Sequence, residues 1–397
     1  MRAPLRTAAV LFAALPALAG CDTTDEPPAA EAPAPEPEPT DPADGDDPPA
    51  GDGATPEDEP AGEPTDEAAD DAAGAEEPVE ITVEVVATGL EAPWDVVAHD
   101  GRVLVTERDT GRLLEVGEDG GVDEVRTFDV DPTGEGGLLG LASDGEALFV
   151  HYTADDGNRV VRLDDVDGGE EQPVVTGIPK GATHNGGRLA LGADGLLYVA
   201  TGDAGDPALA PDLDSLAGKI LRVDREGRVP DDNPYDGSPV WSSGHRNVQG
   251  LAFDADERLW AAELGPDVDD EINLIEPGAD YGWPEVTGAP GVEGYVDAAF
   301  VAQPPEASWS GATVLRDGAI PQWEGDLLVT ALRGERLWRL GLDGEEVTDA
   351  EELYAGEYGR LRTAVVAPDG AVWLLTTNRD GRGDPGPDDD RLLRLGP

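Results

Sequence analysis

Two groups of residues in this sequence have the types and spacing to do chemistry. The first centres on His184, set between Thr183 and the run Asn185-Gly186-Gly187. An imidazole can take a proton near neutral pH, and a glycine pair lets a ligand come close to the backbone. Asp203, 19 residues further on, is placed to orient such a base or hold a polar substrate. The second group is a set of cations: Arg246 with Asn247 beside it, Arg333, and Arg360 with Arg362. The alternating spacing of the last two puts both on one face of a strand. From residue 81 onward the chain has 64 Asp or Glu against 24 Lys or Arg. Arginines recurring in loop segments of so acidic a chain point to a bound anion. A lone histidine is more often structural and a single arginine is usually a surface salt-bridge partner, so spacing by itself leaves both alternatives open.

Positioning these residues requires elements that bring distant segments to one place. Six times the chain repeats a turn of Asp-Gly type, a short apolar strand, a polar loop and a second apolar strand, at intervals of about 44 to 70 residues. The first strands are 103–105, 147–150, 196–199, 258–261, 327–329 and 371–374, and the second are 112–116, 160–163, 219–223, 271–275, 336–340 and 391–395. Six near-equivalent units predict an all-β fold, a six-bladed β-propeller over residues 81–397, with a β-sandwich as the distant alternative. A further strand precedes each Asp-Gly turn, as 187–191 precedes Asp194-Gly195, so each pair forms a hairpin. Residues leading into and out of these hairpins gather on the face away from the turns. That set includes Glu135, His184, Asp203, Arg246, Asn247, Trp309, Arg333, Arg360 and Arg362.

The N-terminus has a different purpose. Residues 1–20 carry Arg2 and Arg6, then an apolar run from Ala8 to Leu18, too short for a transmembrane helix and laid out as an export signal. Leu18-Ala19-Gly20-Cys21 resembles the bacterial lipobox, and Cys21 is the chain's single cysteine. The expectation is a lipidated Cys21, an extracytoplasmic protein and a membrane contact through the lipid anchor only. Residues 22–80 hold 22 acids and 13 prolines without one Lys, Arg or aromatic. Such a segment cannot bury enough apolar area to offset its ordering entropy, so an acidic, disordered tether is expected, roughly 180 Å at full stretch. The net charge of −60 excludes a general nucleic-acid role, because phosphate backbones need a clustered positive face. With Lys180 and Lys219 as its only lysines, the domain reads as one suited to high salt.

Five segments carry a family resemblance: 134–140 (GEGGLLG), 184–189 (HNGGRL), 213–220 (LDSLAGKI), 244–250 (GHRNVQG) and 269–273 (DDEIN). Together they resemble the soluble aldose sugar dehydrogenases that use pyrroloquinoline quinone (PQQ), from about Thr88 to Leu395 and in the same order. The resemblance implies PQQ and Ca²⁺ on the loop face and oxidation of an aldose to its lactone, with electrons passing to an extracytoplasmic acceptor. It makes His184 the general base and puts Arg246 and Asn247 at the quinone. Arg333, Arg360 and Arg362 become carboxylate binders. Gly265 and Pro266 match backbone ligands of the calcium that bridges PQQ, and Glu271 and Tyr281 resemble ligands of a second, structural calcium. Asp203 and Trp309 fall where a sugar could be held, although core packing suits Trp309 equally. Glu135 stands where relatives commonly have a Gln whose side chain contacts the cofactor or substrate, so the resemblance makes it a cofactor-binding residue. A carboxylate there would repel an anionic cofactor unless calcium, an arginine or a proton offset it, or it would instead hydrogen-bond a sugar hydroxyl.

Two further readings compete with an oxidoreductase. A non-catalytic propeller that binds glycans or a protein on the cell surface would keep the fold and lose the base. A hydrolytic propeller of the lactonase kind would need carboxylates clustered around one metal, whereas arginines dominate this face.

Overall fold

The structure is a computed structural model and describes residues 78–397; the export signal, Cys21 and the tether up to residue 77 lie outside the described residues. Six four-stranded antiparallel sheets follow one another along the chain. The opening strand is β1 (Thr82–Ala87). Blade 1 is β2 (Pro93–His99), β3 (Arg102–Glu107), β4 (Arg112–Val116) and β5 (Val122–Thr127), and blade 2 is β6 (Leu138–Ser143), β7 (Leu148–Ala154), β8 (Gly157–Leu163) and β9 (Gln172–Ile178). Blade 3 is β10 (Leu189–Leu191), β11 (Leu197–Ala200), β12 (Ile220–Val223) and β13 (Val240–Ser242), and blade 4 is β14 (Val248–Phe253), β15 (Leu259–Glu263), β16 (Asp270–Ile275) and β17 (Phe300–Ala302). Blade 5 is β18 (Trp309–Val314), β19 (Leu327–Ala331), β20 (Arg336–Asp343) and β21 (Glu346–Leu353), and blade 6 is β22 (Leu361–Val366), β23 (Val372–Thr376), β24 (Leu392–Gly396) and β1.

The apolar runs read from the sequence are the second and third strands of every blade. Their side chains alternate between two faces, and each face packs on a neighbouring blade. The core accordingly divides into six clusters, one at each blade interface; Trp260 and Ile272 of blade 4, for example, meet Trp309, Val329 and Leu340 of blade 5. Each large side chain buried this way contributes about 1.5–3 kcal/mol. The ring closes where β1 pairs with β24 from Thr82↔Gly396 to Ala87↔Leu392. Val79 reinforces the seal, its N–H and C=O both bonded to the Gln322 amide at 3.1 and 2.9 Å.

The fold also explains how loops reach the face that the hairpins share. Five of the six innermost strands carry a register shift at their first residues, at Pro93/Asp95, Leu138/Leu141, Val248/Gly250, Trp309/Ala312 and Leu361/Thr363. A bulge at the start of a strand turns the preceding residues away from the ladder. Trp309 is the exception among the expected site residues. Its side chain is fully buried in the blade 4–5 core, edge-on to Trp338 at 5.7 Å, so it cannot stack on a sugar.

Candidate functional site

His184 adopts φ 58°, the left-handed region that non-glycine residues rarely occupy. Three contacts hold it there. Its N–H donates to Glu135 Oε2 (2.9 Å), its carbonyl accepts from the Ala204 N–H (3.1 Å), and its Nδ1 meets Asp203 Oδ1 at 2.7 Å. Local glycines make the fit possible: Gly186 takes φ 63°, and a Cβ on Gly202 would come within 2.1 Å of the His184 carbonyl oxygen. Asp203 is fully buried, and burial would raise its pKa. Bonds from His184, the Gly205 N–H and Trp283 Nε1–H outweigh that and hold it below the usual carboxylate value. An ionised Asp203 takes the Nδ1–H tautomer of His184, which leaves Nε2 as an unprotonated acceptor with no protein partner among the described residues.

Beside this pair lie Arg246, Asn247 and Trp283. The Trp283 indole donates to Asp203 Oδ2 at 2.9 Å while the Arg246 guanidinium lies 5.5 Å over its ring. Arg246 also donates from Nη1 to the Leu264 carbonyl (3.0 Å), and its backbone N–H bonds to Glu263. Glu263 is fixed from below by His245 Nδ1 (2.8 Å), whose Nε2 meets Ser242 Oγ (2.8 Å), all three buried. Asn247 accepts the Gly186 N–H at Oδ1 (3.1 Å), which leaves its NH₂ free of protein acceptors among the described residues.

The arginines divide by what they hold. Arg360 grips Asp380 Oδ2 through Nε (3.0 Å) and Nη2 (2.8 Å), and Arg362 Nη2 lies 3.8 Å from the same oxygen. Arg362 donates from Nη1 to Gln249 Oε1 (2.9 Å), but its buried Nε has no partner. Burial, against the pull of Asp380 and with Arg108, Arg360 and Arg188 adding repulsion, brings Arg362 down to about 9. Two cations thus share one carboxylate, leaving net positive charge and an unused donor. Arg333 is exposed at the end of β19 and forms no ion pair among the described residues; no contact joins it to the other arginines.

Glu135 is not an uncompensated charge. Its Oε1 accepts from Arg382 Nη2 at 2.7 Å, and Arg382 N–H in turn donates to Asp380 Oδ1 at 2.9 Å. A single hydrogen-bonded path therefore runs from His184 through Glu135, Arg382 and Asp380 to Arg360. Arg382 and Trp283 went unread in the sequence. Arg382 is one cation in a Gly-Arg-Gly loop 247 positions from its partner, and Trp283 in Tyr-Gly-Trp-Pro has no spacing that ties it to Asp203.

The groups assigned to cations are arranged for oxygen ligation through the backbone. The carbonyls of Gly265 and Pro266 accept no hydrogen bond among the described residues, and the Gly265 N–H is held by Asp270 Oδ1 at 2.7 Å. Glu271 is buried opposite Glu263; burial first and then that like charge push it up to about 8. Asn273 bonds Glu271 through Nδ2 (3.1 Å), while its buried Oδ1 has no partner. The Tyr281 hydroxyl is committed to the Leu274 carbonyl and the Glu276 N–H, which leaves only its carbonyl as a possible ligand. No three His, Cys, Asp or Glu side chains among the described residues gather to hold a metal, so any ion at Glu271 would depend on carbonyl oxygens.

The family described as Glucose / Sorbosone dehydrogenase matches residues 90–394. The structure resembles the PQQ-bound form of an aldose sugar dehydrogenase from Streptomyces coelicolor, at 41% identity and a TM-score of 0.74, covering 81% of this chain and 99% of that one. The chain is 29% identical to the aldose sugar dehydrogenase YliI of Escherichia coli, over 77% of its own length and 92% of the relative's. It is 27% identical to quinoprotein glucose dehydrogenase B of Acinetobacter calcoaceticus, over 75% and 85% respectively.

Proposed function

The chain belongs to the glucose/sorbosone dehydrogenase family, and from that membership we propose that it oxidises the anomeric C1 hydroxyl of an aldose to the lactone, with PQQ as hydride acceptor and His184 as general base. The observation that carries the reading is the His184–Asp203 pair, 2.7 Å apart, with Nε2 left open beside Arg246 and Asn247. His184 Nε2 takes the hydroxyl proton, and Asp203 steadies the imidazolium that forms. Arg246 and the free amide of Asn247 offer donors where negative charge develops.

The residues present suit the cofactor. Arg362, with its unpartnered Nε, together with Arg360 and the unpaired Arg333, would bind its carboxylates, and the open carbonyls of Gly265 and Pro266 would hold the calcium. Bound there, PQQ supplies the ortho-quinone that accepts hydride, and calcium supplies a Lewis acid for its carbonyl. Glu271 and the Tyr281 carbonyl are proposed to take a second calcium. With the export signal and Cys21, we place this activity outside the cytoplasm on a lipid anchor, delivering electrons to an extracytoplasmic acceptor; Cys21→Ser should move the protein out of the membrane fraction.

The test is PQQ titration of the purified protein with Ca²⁺, followed by dye reduction across a panel of aldoses. Saturable PQQ binding with turnover of at least one aldose supports the reading, and absence of both rejects it. In His184→Ala, loss of turnover with retained PQQ binding excludes a binding-only propeller, whereas unchanged turnover removes His184 as the base.

A further inference from the structure

We propose that Glu135 and Arg382 form a positioning pair that holds the backbone of His184 in its catalytic conformation; the proposal rests on His184 being the base. Glu135 grips the His184 loop at two points. Its backbone N–H donates to the Ala182 carbonyl (2.9 Å) and its side chain accepts the His184 N–H (2.9 Å). The two segments touch so closely that a Cβ on Gly134 would fall 2.0 Å from the Ala182 oxygen. The other carboxylate oxygen is fixed by Arg382 at 2.7 Å, from the loop between β23 and β24 of blade 6.

The chemistry explains why a charged pair serves here. The left-handed backbone of His184 is unfavourable for a residue with a Cβ, so something outside the local chain must hold it. An ionised carboxylate is a strong acceptor for that N–H, but burial alone would favour its neutral form. The His184 N–H and the Arg382 guanidinium reverse that preference and keep it charged. Arg382 is itself anchored through its backbone to Asp380, the acid shared by Arg360 and Arg362. Both oxygens of Glu135 are therefore committed within the protein, so its part is to place the base.

Three variants test this. Glu135→Ala removes the acceptor and should lower kcat about 100-fold, the usual cost of a displaced catalytic group, with the aldose KM and the PQQ Kd nearly unchanged. Glu135→Gln retains an oxygen for the His184 N–H and should recover about tenfold of that loss, and Arg382→Ala should fall between the two. A tenfold or larger rise in PQQ Kd for Glu135→Ala would make Glu135 a cofactor ligand and overturn the proposal, as would wild-type kcat. A second readout needs no turnover. The chain has four histidines, so the His184 imidazole can be followed by NMR in the cofactor-free protein. Its ring resonances should move in Glu135→Ala and, by less, in Arg382→Ala, because each change loosens the hold on the backbone that carries the ring. If the wild type shows no turnover, the base assignment fails while these displacements still support the pairing; unchanged ring resonances in both variants overturn it.

Discussion

Asp203 and His184 stand at the two ends of one β-hairpin, and their side chains meet at 2.7 Å with Asp203 fully buried. The carboxylate fixes which ring nitrogen carries the proton. Asp203→Asn keeps the shape but removes the charge that selects the tautomer and steadies the imidazolium. The expected outcome is a fall in kcat of about 100-fold or more with PQQ affinity preserved, measured by steady-state dye reduction and by calorimetric titration. A variant within twofold of wild type would show that Asp203 does not act through the base.

The indole of Trp283 links Asp203 to Arg246, whereas Trp309 is sealed between blades 4 and 5. Trp283→Phe preserves the ring under Arg246 and deletes the Nε1–H. It leaves a buried carboxylate oxygen one donor short, at about 1–3 kcal/mol, and should reduce both stability and kcat. Trp309→Phe removes packing volume from a site whose Nε1 has no partner, so it should lower the melting temperature and leave the aldose KM unchanged. A larger KM effect at Trp309 than at Trp283 would reverse the assignment.

Much of this arrangement was legible in the sequence because strong local signals coincide with structure. The second and third strands of each blade are apolar runs between Asp-Gly turns, and hairpin geometry placed His184, Asp203, Arg246 and Arg360 on one face. The outer strands gave no such signal: β21 is exposed along nearly its whole length, and β1 is half-exposed with a partner at the far end of the chain. For Trp309 the sequence left sugar contact and core packing open, because a residue at the start of a strand can turn into the loop or into the core, and its neighbour Trp338 decides which. The Glu135–Arg382 pair depends on two loops 247 positions apart that the closed ring brings together, and no local spacing announces that.

Glu271 should make calcium binding sensitive to pH. Burial and the charge of Glu263 raise its pKa to about 8, above the ordinary value of 4.5. The folded chain thus keeps a proton that the unfolded chain releases, so this group's favourable contribution is present below pH 4.5 and lost as pH climbs through 8. A cation bound there replaces the proton. Calcium should therefore raise the melting temperature more at pH 8.5 than at pH 5.5, and Glu271→Gln should flatten that difference. An equal calcium effect at both pH values in the wild type would place the ion elsewhere.

The acidic surface predicts a second dependence on conditions. With 64 acids against 24 Lys or Arg from residue 81 onward, like-charge repulsion opposes the compact state. Raising salt from about 0.1 to 1 M shortens the screening length from about 10 to 3 Å. The melting temperature should climb over that range in KCl. A flat response would mean that the Arg and Lys ion pairs among the described residues already absorb the repulsion.

His151 should limit stability in acid. Its ring is fully buried in β7, neither nitrogen has a partner, and burial pushes its pKa from 6.5 down to about 3. The folded chain cannot protonate it where the unfolded chain can, so stability is intact above pH 6.5 and drains away as pH falls toward 3. At pH 5 the loss from this one group is about 2 kcal/mol. His151→Leu fills a similar volume without a titrating group. Its advantage over the wild type should be about 2 kcal/mol larger at pH 5 than near pH 7.5, measured by denaturant unfolding at the two pH values. A constant gap between the two proteins across this range would show that His151 finds a proton acceptor within the fold.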